Sequence, residues 1–294
     1  MTPLSRRFTA YGSAVLLVVA SLTAATAATA TAAAAPAATS TKELCGPGSV
    51  LRFNRSAFPA KPNIDNQWLR LRPGMQYTTT GKVVSPDGTT TRTVVSTVTG
   101  LTKVIDGVKT VVVWDRDYSD GELVESELAF FAQTEKGTVW LFGEYPEEYE
   151  DGKLVGAPST FISGIDKARA GIAMLAHPSE GSGPYTQASA PSVDFLDCGQ
   201  VVRRTSHTLK IDEFNPLEGA SAGHQQKYYR AGVGSVKVTA TGGDSQEFLN
   251  LDSTTTLSSV ALAAVNERAL AQDRHGYAVS PEVYGTTERA RARC

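Results

Sequence analysis

Residues from which metal centres and redox sites are built are scarce in this chain. Of its 294 residues three are cysteine and four are histidine. Cys45, Cys198 and Cys294 show neither zinc-site spacing nor a C-x-x-C redox pair. His177, His207, His224 and His275 form no H-x-x-x-H or H-x-H pair. No G-x-x-x-x-G-K-[ST] loop is present, so nothing supports nucleotide use, and no cofactor is expected. Charge of one sign is missing as well. Lysine and arginine number 28 against 30 acids, or 26 against 30 once Arg6 and Arg7 are set aside. That balance argues against nucleic acid or an anionic membrane surface as a partner. Past the N-terminus no apolar run is long enough to span a bilayer.

The N-terminus reads as a cleavable export signal over 1–30. Arg6 and Arg7 are followed by an apolar run from Ala14 to Leu22, too short to span, and then by A-x-A sites such as Ala28-Thr29-Ala30. "SRRF" is similar to a twin-arginine signal but lacks its usual spacing. Residues 31–44 continue an Ala/Thr-rich tract with no large side chains to pack, which predicts a disordered spacer. A secreted, extracytoplasmic protein of about 250 residues remains, large enough for a real core. Export permits disulfides. Cys45–Cys198 is the expected bridge, with Cys294 as the alternative partner of Cys45.

The body is written in strands. Between Met75 and Tyr145 runs rich in Val, Thr and aromatics alternate with "SPDG", "DG", "SDG" and "EKG". Glycine after aspartate suits the positive φ of tight hairpins. Connections this short force antiparallel neighbours, so the pattern is a meander. In 122–133 Val124, Leu128, Phe130 and Ala132 fall on one face and Glu125, Glu127, Ala129 and Gln133 mostly on the other. This predicts one face on a core and one in water. "TVVVW" at 110–114 is apolar on both faces and reads as central. From 146 to 191 loops surround one or two strands, and strand text then resumes up to Asp252. A helix is expected over about Leu257–Asp273, packing Val260, Ala261, Ala264 and Val265 on the sheet. The expected fold is mainly β (α+β): a curved antiparallel meander sheet or incomplete barrel over 45–252, with a C-terminal helix and extended tail over 253–294.

Three constellations bear on chemistry. Gly219-Ala220-Ser221-Ala222-Gly223 spells the G-x-S-x-G of a nucleophile elbow, with His224 next. A serine hydrolase using Ser221 and His224 is therefore one alternative. An elbow needs a strand before and a helix after, whereas "EFNPLE" and "HQQKYY" flank this one, which favours a loop. Asp115, Asp117 and Ser119 alternate as at the start of a calcium loop, but Asp120 and Ser126 stand where Gly and Glu belong. Asp115, Asp117 and Asp120 are thus weak calcium candidates, read first as solvated acids of a hairpin turn. The acids of "EYPEEYED" are read likewise. Trp114, Phe130, Trp140, Phe142 and Tyr228 lie on predicted strands and belong either to the core or to the lining of an apolar cavity.

"FPAKPNIDNQWLRLRPGMQY" resembles the I-D-N-P-[YF]-[FL]-P-L-x-P-G opening of a family of uncharacterised exported bacterial proteins. "VIDGVKTVVVWDRDYSDGELVE", "FFAQTEKGTVWLFGE", "GIAMLAHPSEG", "FNPLE" and "KYYRAGVGSVK" match its later blocks in order. The resemblance spans most of the mature chain and implies a β-rich secreted protein without an assigned activity. Two departures stand out: Gln67 replaces a proline, and Gly219-Ala220 fall where relatives continue "PLEPG". "GASAG" is therefore not a family motif. The expected function is a non-enzymatic envelope or extracellular module that binds an apolar small molecule or lipid. The alternatives are the hydrolase and a calcium-stabilised structural protein.

Overall fold

Three Asp-Gly dipeptides turn the chain back on itself. Asp106-Gly107, Asp120-Gly121 and Asp151-Gly152 all have positive φ at both residues, between 48° and 85°. This is the type I′ geometry that follows the strand twist. The computed structural model describes residues 43–49 and 51–293, with residues 9–10 and 13–14. Apart from those two dipeptides, the expected signal lies outside the described residues, as do most of the spacer and Cys294.

Twelve strands follow in order: β1 (Met75–Ser85), β2 (Gly88–Ile105), β3 (Val108–Ser119), β4 (Glu122–Gln133), β5 (Val139–Glu150), β6 (Arg169–Met174), β7 (Tyr185–Ala190), β8 (Phe195–Arg204), β9 (Thr208–Phe214), β10 (His224–Arg230), β11 (Gly234–Thr241) and β12 (Gln246–Thr256). Each pairs antiparallel with the next, and β12 pairs with β1, Gln246 opposite Val84 through to Thr256 opposite Met75. The meander is therefore a closed barrel rather than an open sheet. Residues 253–256, expected to begin the helical region, are the last rungs of this seam. Eight strands leave room for little more than side chains, whereas twelve enclose a lumen that must be filled.

Part of the filling comes from residues 59–74, the segment with the I-D-N motif. Ile64–Asp65 pairs with Arg70–Leu71 and lays Trp68, fully buried, across one mouth. Gln133 Oε1 accepts from the backbone N–H of Asp65 (3.0 Å) and Asn66 (2.9 Å). Gly232 N donates to the Gln67 carbonyl at 2.7 Å. That bond uses the main-chain oxygen of Gln67 and not its side chain. A core of Ile64, Trp68, Leu71, Met174, Ile211 and Tyr229 joins plug to wall.

The helix, α1 (Ser259–Val279), starts at Ser258, whose Oγ accepts from Ala261 N at 3.2 Å. It packs outside the barrel by a face that includes Val265 of the expected residues but not Val260 or Ala264. Its buried residues are Ala269, Gln272, Asp273 and Gly276, while Val260 is 79% exposed. The spacing is helical, and two of the docking groups are polar. Gln272 Oε1 accepts from Trp114 Nε1 (2.8 Å) and Ser126 Oγ (2.7 Å). Asp273 Oδ1 accepts from Lys103 Nζ (2.9 Å) and Tyr284 OH (2.7 Å). Fully partnered buried polar groups lie beside an apolar stripe of Val265, Ala269 and Leu270 on the core.

Cys45 and Cys198 form a disulfide with a Cα–Cα distance of 5.6 Å, as expected. It fastens the start of the described chain to β8.

Candidate functional site

β4 is buried on both faces, from Val124 at 8% exposure through Glu127 at 1% to Phe130 at 0%. The face carrying Glu125, Glu127 and Ala129, expected in water, points into the barrel. The opposite face is covered by α1 and the C-terminal segment. The same holds on β5, where Glu144 and Glu147 are buried rather than solvated. A closed barrel sealed outside by a helix leaves no wet face in this sector, so alternation there separates two interiors.

The parity of each strand relocates the aromatic candidates. Trp114, Phe130, Trp140 and Phe142 share the outer cluster under α1, with Phe53 and Phe58 packed on the last two. Tyr228 faces outward between the ammonium groups of Lys210 and Lys237, 5.2 and 5.7 Å from its ring centroid. The cavity is lined instead by their chain neighbours Val113, Phe131, Leu141 and Tyr229. One position along a strand exchanges inside for outside.

This cavity, of about 120 Å³, lies beneath the plug residues Leu69–Leu71. Apolar groups make one part of its wall. Ser96, Asp115, Glu144, Gln187, Asp197 and Glu213 make the other, with Lys227 beside them. Lys227 Nζ pairs with Glu213 Oε2 at 2.5 Å, and Gln187 Nε2 donates to Glu213 Oε1 at 3.0 Å. Asp115 Oδ1 and Gln187 Oε1 are buried with no partner. Below, Asp117 pairs with Arg92, and neither carboxyl oxygen of Glu127 has a hydrogen-bond partner.

Burial dominates the electrostatics. It pushes the Asp115 carboxyl up to about 7, against the Ser96 hydrogen bond. It pushes Glu247 up to about 7 against the pull of Arg92. Glu125, Glu127 and Asp197 are raised well above the usual carboxylate range, again first by desolvation and then by neighbouring acids. Asp115 and Glu247 thus stand between acid and carboxylate near neutrality, able to donate or to accept. Glu127 and Glu144, expected in water, and Gln187 and Glu213, not singled out in the sequence, are all buried. The available signal was a run of acids at alternate positions of two adjoining strands, Asp115 and Asp117 on β3 and Glu125 and Glu127 on β4.

The calcium candidates do not converge. Asp115 and Asp117 lie in the lumen, whereas Asp120 sits in the exposed turn and accepts from Thr91 N at 2.8 Å. Among the described residues no group of three His, Cys, Asp or Glu side chains is arranged to hold a metal ion. The GASAG segment is a 3-10 turn, Gly219–Ser221, between β9 and β10, at the end opposite the plug. Exposed Ser221 donates to the Glu218 carbonyl at 3.2 Å. His224 Nδ1 lies 2.6 Å from Asp212 Oδ2, a carboxylate partner that sequence reading missed, and its ring stacks on Phe214. The strand–turn–helix of a nucleophile elbow is absent here, because a strand follows the turn.

Among the described residues no helix is long and apolar enough to cross a membrane. No family model and no curated protein matches the chain. Among solved structures it is similar to a Bacteroides fragilis protein whose description assigns it to export and to a YmcC-like fold. The two are 14% identical, with a TM-score of 0.35, over 68% of this chain and 99% of that one. A likeness of that degree carries no argument about what this chain does.

Proposed function

We propose that this is an exported, non-enzymatic binding module whose barrel cavity takes a small ligand with an apolar body and a hydrogen-bonding head. Export is supported by the N-terminal signal pattern and by the sequence blocks similar to exported β-rich proteins. The observation that carries the ligand reading is the cavity wall, where buried Asp115 Oδ1 and Gln187 Oε1 meet no partner in the protein. Orphaned buried acceptors cost about 1–3 kcal/mol each, and a ligand supplying donors relieves that cost. The volume is below the roughly 300–1,000 Å³ of pockets for drug-sized ligands, so the occupant is small. The polar wall disfavours a purely hydrocarbon lipid.

Native mass spectrometry of the protein from its own secretions, followed by denaturation, tests this. A released molecule of defined mass is expected. Ala173→Phe, which fills the cavity, should abolish it while circular dichroism stays unchanged. An empty wild-type protein that no small amide, alcohol or amine stabilises thermally, or a bound species that survives Ala173→Phe, would sink the proposal.

A further inference from the structure

Arg289-Ala290-Arg291-Ala292-Arg293 ends the described chain. Arg291–Ala292 adds to β2 as a short antiparallel strand opposite Leu101–Thr102, and Arg293 N donates to the Gly100 carbonyl at 2.8 Å. Alternate side chains of an extended segment share a face. Ala290 is buried and its N–H donates to Asp273 Oδ2 at 3.1 Å, which leaves the arginines facing the other way. They border a surface groove of about 420 Å³ together with Lys61 and Lys109. Thr102 and Val104 also line it, and the acid present is Glu288. Glu288 approaches Arg291 at 3.8 Å with both side chains largely exposed, a pair that neutralises little. The formal net charge of −2 conceals this concentration, because much of the acid, Glu125, Glu127 and Glu144 among it, is hidden inside the barrel.

We propose that this groove is a second binding site, separate from the lumen, for a phosphate-bearing anion. Five cations against one acid call for a multiply charged ligand. The guanidinium fork matches phosphate oxygens in pairs. Two of the forks are held in advance: Arg293 donates to the Pro62 carbonyl, and Arg289 lies 5.3 Å from the Tyr277 ring centroid. Pre-positioned donors lose less freedom on binding.

Isothermal titration with inorganic pyrophosphate at low ionic strength tests this. One-site binding is expected, weakening with added salt and weakened at least about tenfold by Lys109→Gln with Arg291→Gln. Both residues are exposed, so the melting temperature should not move. Vesicles containing phosphatidic acid separate the two sources of phosphate. Retention lost in the same variant places the phosphate on a lipid head group. Pyrophosphate binding without retention places it on a soluble ligand. If wild type binds neither probe, or the variant binds as wild type does, the proposal is overturned.

Discussion

Asp115 links one residue to the behaviour of the whole protein in acid. Its carboxyl stands at about 7 in the folded barrel and at about 3.9 in an unfolded chain. Between those values the folded state holds a proton that the unfolded state has lost. Stability is therefore fully present below about pH 4 and falls as pH rises through 7. Glu247 adds to the same window. Melting curves from about pH 4 to 8 should fall by several degrees, and Asp115→Asn, which cannot ionise, should flatten the slope and raise the melting temperature at the alkaline end. An unchanged slope in that variant would refute the assignment. The acids of β4 were visible in the sequence; their environment was not. Period-two alternation says which residues share a face, but water and a lumen of carboxyls look alike in one strand. Only closure by β12 and β1, from Gln246 opposite Val84 to Thr256 opposite Met75, decides between them.

The hairpins were legible because an Asp-Gly turn is a local device: the expected turns at Asp106-Gly107 and Asp120-Gly121 adopt positive φ, whereas the sequence around Asp151-Gly152 reads as an acidic loop. The helix was legible as an element and only partly in its docking, because Val265 packs on the core as expected while Val260 stays exposed and Gln272 and Asp273 add the buried polar contacts. Gly276 measures how tightly that element sits. An added Cβ would meet Tyr284 Cδ1 at 2.6 Å and Tyr145 Cε1 at 3.0 Å. Alanine gains about 1 kcal/mol in helix propensity over glycine, and overpacking against two ring systems costs about 1–3 kcal/mol. Gly276→Ala should therefore lose about 1 kcal/mol net in urea titration. A gain in stability would mean that the helix floats on the barrel instead of being seated on it.

For the molecule as a whole, the Cys45–Cys198 bridge closes a loop with a sequence separation of 153, worth about 5 kcal/mol in the chain-entropy treatment. Reductant should lower the urea midpoint markedly, and Cys45→Ser with Cys198→Ser should match the reduced protein. Coincident midpoints with and without reductant would show that the bridge restrains little. Of the twelve pairings that close the barrel, eleven join successive barrel strands and the twelfth joins the first to the last. A polypeptide emerging N-terminus first, from a ribosome or through a translocation pore, can zip β1 to β11 as it appears. It carries two raw sheet edges until β12 arrives. Ring closure then waits on the last strand, and a chain truncated anywhere before Thr256 is a ribbon inviting pairing with its own kind.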